Sequence, residues 1–136
     1  MFIRSALTTA AVGGVVALSA CGSDNDKKSE EAEANTSPQQ AITEIAAVRT
    51  ALGTAVEQVK SGDKAAADNT VSEAYLQHFE KVEGPLEERD HELNEELEEA
   101  ISQELRDKIK TASASEVEAF VEEIEGDLTT AEGKLK

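Results

Sequence analysis

Residues 71–83, VSEAYLQHFEKVE, decide how this chain folds. Apolar side chains recur there at steps of three and four residues, the spacing that places them on one face of an α-helix. The segment holds the only tyrosine of the chain and one of its three phenylalanines. The pattern predicts an amphipathic helix whose core face carries Val71, Tyr75, Phe79, Val82 and Leu86.

An acidic pair, Glu80 and Glu83, lies one turn apart on an adjacent face of this helix. Carboxylate oxygens suit hard cations, and helical bundles hold metals with acidic residues at this spacing. The spacing alone is not specific, because it recurs elsewhere in the chain: Glu92/Glu95, Glu95/Glu98, Glu96/Glu99 and Glu122/Glu125. One hypothesis is a metal site for iron or another hard cation at Glu80 and Glu83; the other is a solvated acidic surface.

The two histidines carry a weaker signal. His78 lies two residues before Glu80, off the carboxylate face, and is interpreted as a surface residue. His91 follows a capping Asp90 and precedes Glu95 by four residues. We interpret His91 as a helix-start residue, with metal binding as the alternative.

The amino terminus indicates the compartment. Arg4 precedes a short apolar run, residues 10–18, which is too short to span a bilayer. Small residues then lead to Cys21, the only cysteine, in a pattern that resembles the lipobox of bacterial lipoproteins. The resemblance implies a signal peptide over residues 1–20, lipidation of Cys21, and cleavage before it. The alternative is an ordinary secretory signal with an incidental cysteine.

The chain is strongly acidic, with 29 Asp and Glu against 13 Lys and Arg, a net charge of −16. Removal of the signal takes away Arg4 and no acid, which leaves 29 acidic and 12 basic side chains, net −17. This charge argues against nucleic acid and anionic headgroups as partners, since both would be repelled. It favours cations or a basic protein surface. With one cysteine, an intrachain disulfide is impossible.

Residues 21–40 read as a flexible acidic linker. After Cys21 the segment lacks Val, Leu, Ile and aromatic residues and contains Pro38. Such a composition buries too little apolar surface to offset its ordering entropy. We therefore expect the lipidated cysteine to be joined to the folded domain by a tether that ends near Ala41.

Four helical patterns follow. The first carries a stripe of Ile42, Ile45, Val48, Leu52, Val56 and Val59. The third carries Leu93, Leu97, Ile101, Leu105 and Ile109 at strict four-residue steps, and the fourth carries Val117, Phe120, Val121, Ile124 and Leu128. No segment alternates with period two. The sequence predicts an all-α domain over residues 41–132, an antiparallel up-down four-helix bundle.

The connections between these helices are short. Gly62 suits a left-handed helix stop, and Asp63 suits the cap of the second helix. Asp90 suits the cap of the third helix, and Ser115 with Glu118 suits a capping box for the fourth. Gly84–Pro85 interrupts the second pattern, either as a kink, which we favour, or as a stop followed by a new turn.

Part of the chain resembles a known domain. The run Ser72-Glu73-Ala74-Tyr75, then Phe79-Glu80, Glu83, Leu86 and Arg89-Asp90, is similar to the extracytoplasmic helical domain of bacterial high-affinity iron permeases. The likeness covers residues 41–132 and is densest over 62–90. The Arg-Glu-Gly-x-Glu motifs of the permease part do not occur in this sequence, so we do not expect this chain to transport iron by itself. The resemblance implies a role in iron handling, with an iron-transport membrane protein as partner.

These observations favour a non-enzymatic module. The sequence has no nucleophile with a base at suitable spacing, no glycine-rich phosphate loop and no HExxH motif. We expect an extracytoplasmic, lipid-anchored binding protein associated with iron uptake. The alternative is a structural or interaction lipoprotein that binds a protein partner and has no metal role.

Overall fold

The computed structural model describes residues 36–136, and this part of the chain is all-helical, with four helices. Helix α1 is Pro38–Lys60 and α4 is Ala114–Leu135. Helix α2 covers 64–87 and α3 covers 91–111, each interrupted by a π-helical turn, Tyr75–Phe79 in α2 and Ala100–Glu104 in α3. None of the described helices is long and apolar enough to cross a membrane.

Helix α1 begins three residues earlier than the sequence pattern predicts. The Ser37 hydroxyl accepts the backbone N–H of Gln40, and the Gln40 side chain accepts the Ser37 N–H, so the two residues form a capping box. Pro38 occupies the first turn, where its missing N–H costs nothing. The residues 38–40 therefore belong to the bundle and not to the linker.

Two of the predicted connections are confirmed. Gly62 has a φ of 89°, the left-handed conformation that favours glycine, and Asp63 caps α2 by accepting the Ala66 N–H. Asp90 caps α3 in the same way by accepting the Leu93 N–H. These short turns separate α1 from α2 and α2 from α3.

The predicted cap of α4 is wrong by two residues. Ser113, and not Ser115, accepts the backbone N–H of the third helical residue, Glu116, whose carboxylate accepts the Ser113 N–H. Both Ser-x-x-Glu pairs satisfy the sequence pattern, but helix α3 ends at Thr111 and leaves only a two-residue connection. Ser115 and Glu118 consequently lie inside the first turns of α4.

The core contains most of the predicted stripe residues. The third-helix stripe is buried along its whole length, and Phe79 is 0% exposed, as predicted. Tyr75 was predicted to lie in the core, but it is only half-buried and packs against the core edge. Ile42 and Phe120 are likewise partly buried, and Leu135, beyond the predicted end of the domain, is buried.

The π turns explain how residues at strict four-residue steps stay buried. Four residues on a 3.6-residue turn overshoot by about 40°, so a purely α-helical stripe would leave the core after a few steps. In α3 the Leu105 N–H donates to the Ala100 carbonyl, and in α2 the Glu80 N–H donates to the Tyr75 carbonyl. These wider, five-residue hydrogen bonds return the following residues to the core.

Helix α2 continues through Pro85. The proline lies inside the segment Glu80–Glu87 and is buried, so it does not open a new helix. Proline removes one backbone donor, and the helix ends within three residues of it. The Arg89 guanidinium donates to the Pro85 carbonyl at 3.1 Å, which holds the turn that leads to α3.

Helices α1 and α3 both contact α2 and α4, and the second half of α2 also contacts α4. Polar bonds tie the helix ends together. Lys60 at the end of α1 pairs with Glu118 near the start of α4, at 2.7 Å. Lys64 at the start of α2 donates to the Ala112 carbonyl after α3, at 3.0 Å.

Candidate functional site

The predicted acidic pair lies beside the half-buried Tyr75 of α2. The Tyr75 hydroxyl donates to Glu83 Oε1 at 2.8 Å, and the Tyr75 ring stacks on Phe79 with centroids 6.0 Å apart. The two aromatic residues are the first and last of the π turn Tyr75–Phe79, and Glu80 and Glu83 follow that turn. A half-buried tyrosine and a buried phenylalanine are thus followed by two acidic residues within about one turn of α2.

A third carboxylate, that of Glu98 on α3, lies near the Tyr75 phenol. Burial raises the pKa of Tyr75 far above its usual range, assisted by its hydrogen bond to Glu83 and by the negative charges of Glu83, Glu98 and Glu80. Glu98 thus lies close enough to act on the same phenol as the predicted pair. We call Tyr75, Glu80, Glu83 and Glu98 the acidic cluster. Neither Glu80 nor Glu98 forms a salt bridge with a basic side chain of the described residues.

The acidic cluster does not form a complete metal site. Within residues 36–136, no group of three or more His, Cys, Asp or Glu side chains is arranged to hold a metal ion. One oxygen of Glu83 already accepts the Tyr75 hydroxyl. The oxygen-only donor set suits a hard cation, but such an ion would take few ligands from this chain, with water or a partner completing its shell.

Farther along α2 and α3, the carboxylate of Glu87 on α2 accepts hydrogen bonds from side chains of α3. Asn94 is 6% exposed, the one buried polar residue among those described, and its Nδ2 donates to Glu87 Oε2 at 3.1 Å. Its Oδ1 has no hydrogen-bond partner in this part of the chain. His91 Nδ1 lies 2.6 Å from Glu87 Oε1.

The other predicted histidine is not simply a surface residue. His78 Nδ1 lies 2.6 Å from Glu44 Oε2 on α1, and Lys81 donates to the other Glu44 oxygen at 3.2 Å. Burial acts to raise the pKa of Glu44, but the hydrogen bonds and positive charges of His78 and Lys81 lower it overall. His78 therefore joins α2 to α1 and does not approach the acidic cluster as a ligand.

At the opposite end of α2, an acidic residue has an ordinary cationic partner. Arg106 of α3 donates twice to Asp68 of α2, at 2.8 and 3.1 Å, in the bidentate geometry that guanidinium and carboxylate groups favour. These hydrogen bonds hold the pKa of Asp68 below its usual range. Lys110 approaches the same carboxylate at 4.0 Å.

Two further features bear on function. Leu76, on the π turn of α2, is 56% exposed, the one large apolar side chain on the surface of the described residues. Cys21, the predicted lipidation site, and the predicted signal peptide 1–20 lie outside the residues that the structure describes.

Sequence reasoning missed Glu98 and Asn94 as members of this region. Both lie on α3, and the periodicity of one helix does not reveal which of its polar residues face a neighbour. The one available signal was the position of Asn94 next to the predicted core residue Leu93, inside a run of glutamates.

Comparison with protein-family models, with curated proteins and with solved structures finds no match for this chain. The likeness to the iron-permease domain thus stays a prediction from the residues that carry it.

Proposed function

We propose that this protein is a non-enzymatic binding module, anchored by lipid on the extracytoplasmic face of the cell membrane and associated with iron uptake. Its ligand on this proposal is ferric ion or another hard cation, bound weakly and reversibly at Glu80 and Glu83. The observation that carries the proposal is the hydrogen bond of 2.8 Å from the Tyr75 hydroxyl to Glu83, which lies one helical turn from Glu80. No other Glu pair at the same spacing is tied to an aromatic hydroxyl in the described residues.

Glu80 and Glu98 form no salt bridge with a basic side chain of residues 36–136, and the Tyr75 phenol near them adds no positive charge. Their carboxylates therefore contribute to a negative potential at this part of the α2–α3 contact. A hard cation is attracted to such a potential and takes oxygen ligands. The limited number of ligands implies modest affinity, which suits a module that passes a cation to a membrane protein and does not store it.

We also infer that the four helices run up and down as an antiparallel bundle. Three bonds support this arrangement: Lys60–Glu118 and Lys64 to the Ala112 carbonyl at one end, and Lys134–Asp90, at 2.9 Å, at the other. In that arrangement α1 starts at the same end as the α2–α3 turn. The acidic cluster then lies in the half of the bundle from which the linker and its lipid anchor depart.

The proposed lipid anchor at Cys21 is tested by a separate experiment. Two or three acyl chains give lasting attachment to a membrane where one gives marginal binding. Cys21→Ser should yield a precursor that is neither cleaved nor acylated. Labelling with palmitate checks this, with the wild-type chain as the positive control. Incorporation of label into Cys21→Ser would show that the anchor is elsewhere.

The cation proposal is tested by titration of the purified chain with ferric citrate at physiological salt, where diffuse attraction to the acidic surface is screened. Glu80→Gln/Glu83→Gln should lose saturable binding. Glu96→Gln/Glu99→Gln, which removes the same charge at the same spacing on α3, should retain it. Equal losses in the two double variants would reduce the chain to an unspecific acidic surface.

A second function is favoured by a specific pair of observations. The described residues contain no assembled group of three metal-binding side chains, and Leu76, the residue after Tyr75, presents an exposed apolar side chain. These features suit a structural or interaction lipoprotein that binds a basic protein surface with an apolar contact. Equal losses in the ferric titration would leave this function as the account of the chain.

A further inference from the structure

His91, the first residue of α3, lies between two carboxylates. Its Nδ1 is 2.6 Å from Glu87 Oε1 of α2, and its Nε2 is 3.4 Å from Glu95 Oε1, one turn farther along α3. Each ring nitrogen therefore faces a separate acidic group, one on each of two helices.

This geometry depends on the protonation of the imidazole. An ionised carboxylate only accepts hydrogen bonds, whereas a neutral imidazole has one N–H and one bare nitrogen. A neutral His91 would satisfy one carboxylate and turn a lone pair toward the other. Only the imidazolium ion donates to Glu87 and Glu95 together.

We propose that His91 is a protonation-dependent clamp between α2 and α3. As a cation it donates to Glu87 on α2 and to Glu95 on its own helix. As a neutral ring it keeps the shorter contact, with the proton on Nδ1 donated to Glu87, and releases Glu95. The α2–α3 link then changes from a charge-assisted pair to one neutral donor on a carboxylate.

The groups around His91 support this assignment. The hydrogen bond that His91 donates to Glu87, and then the charges of Glu87 and Glu95, raise the pKa of His91 above its usual value. From α4, Lys134 pairs with Asp90, the residue before His91, so that lysine is directed to a different carboxylate. Asn94 holds the second oxygen of Glu87, which fixes the carboxylate that His91 contacts.

The sign of the stability effect follows from linkage. A histidine whose pKa is raised on folding stabilises the fold below its unfolded pKa of about 6.5, and this stabilisation is lost as the pH rises through the folded value. Because the side chain is largely exposed, the effect is small, but it falls in a window where ordinary carboxylates no longer titrate.

His78 provides a matched control within the same chain. Its Nδ1 faces Glu44, and no second carboxylate contact involves its other nitrogen in the described residues. A neutral ring with its proton on Nδ1 therefore still donates to Glu44. The one contact of His78 needs a single N–H, whereas the two contacts of His91 need two.

The test measures urea midpoints of the full chain from about pH 6 to about pH 8.5, the interval over which histidine loses its proton. The wild-type midpoint should fall across this range, His91→Gln should flatten the profile, and His78→Gln should retain the fall. A profile of His91→Gln that parallels the wild type would overturn the proposal, and so would a flat wild-type profile.

A spectroscopic measurement tests the same clamp without a change in stability. Nitrogen NMR of the labelled imidazoles should give His91 a raised pKa that drops toward the ordinary value in Glu87→Gln, with the neutral ring protonated on Nδ1. The variant Glu92→Gln, which removes a neighbouring charge outside the two contacts, should leave the pKa of His91 nearly unchanged. Equal responses to the two variants would show diffuse attraction and no clamp.

Discussion

In the two halves of the α2–α3 contact, acidic residues have different hydrogen-bond partners. In the first half of α2, Asp68 receives two hydrogen bonds from Arg106 of α3. In the second half, Glu83 receives a hydrogen bond from Tyr75, and Glu80 and Glu98 lie near the same phenol. A π turn in each helix lies between these regions.

The contrast teaches how the same residue type serves two purposes. A guanidinium neutralises the carboxylate and lowers the pKa of Asp68. The Tyr75 phenol donates a hydrogen bond but no positive charge, and its pKa is raised by burial first and then by the hydrogen bond and the neighbouring carboxylates. The first half therefore holds an ion pair, and the second half holds a phenol–carboxylate hydrogen bond, on which the proposed cation site rests.

The largest expected effect on stability is that of Phe79, the core residue that stacks on Tyr75. Phe79→Ala should lower the free energy of unfolding by about 3–5 kcal/mol, because it removes a fully buried aromatic side chain. Denaturant midpoints measure this loss. Glu96→Ala, an exposed α3 residue, should be nearly neutral. Equal midpoints for the two variants would contradict the assignment of the buried face.

A smaller loss of stability is expected when the ion pair between Asp68 and Arg106 is broken. Asp68→Asn should cost roughly 1 kcal/mol at neutral pH, since it breaks a bidentate but partly exposed pair. The folded pKa of Asp68 is lowered, so its stabilisation is present above the unfolded pKa of about 3.9 and is lost as the pH falls below that value. Asp127→Asn on α4 provides the charge-matched control. A double-mutant cycle with Arg106→Gln that shows no coupling would refute the pair.

Substitution around Tyr75 is expected to have the smallest effect on stability at neutral pH. The ionisation of Tyr75 nevertheless gives a distinct spectral signal. Because Tyr75 is the only tyrosine, the ultraviolet absorbance of tyrosinate follows one residue. Its ionisation should begin well above the usual range of tyrosine, and Glu83→Gln should bring it lower. The raised pKa stabilises the fold below about pH 10, and this contribution is lost at higher pH. Ionisation of folded Tyr75 at the ordinary pKa would contradict the acidic cluster.

Local sequence patterns predicted much of the fold. The apolar stripes identified four helices, and Gly62, Asp63 and Asp90 identified two connections, because caps and turns depend on residues close in sequence. The same locality explains the errors. Ser113 and Ser115 both begin a Ser-x-x-Glu pattern, and only the end of α3 decides between them.

The strict four-residue spacing of the α3 stripe does not fit a straight α-helix. Leu93 through Ile109 at strict four-residue steps drift around an α-helix, and their complete burial requires a wider turn. The π turn at Ala100–Glu104 supplies it. The spacing thus indicated a π turn that the helical interpretation did not include.

The candidate site was predicted only in part. Glu80 and Glu83 lie where their helical spacing places them, but the contribution of Glu98 depends on how α3 packs against α2. Tyr75 was predicted as a core residue because its spacing fits the stripe, yet the π turn leaves its hydroxyl at the edge, where Glu83 accepts it. Contacts between helices depend on their register, which the separate helical patterns do not contain.

The most direct test of the account is terbium(III) luminescence sensitised by Tyr75. Terbium is a hard trivalent cation, and excitation of the phenol sensitises its emission only when the ion is bound nearby. Because the chain has one tyrosine and no tryptophan, emission reports binding at the acidic cluster. At physiological salt we expect saturable emission from the wild type and from Glu96→Gln/Glu99→Gln, and its loss in Glu80→Gln/Glu83→Gln. Absence of wild-type emission, or equal emission from both double variants, would contradict a cation site at Tyr75.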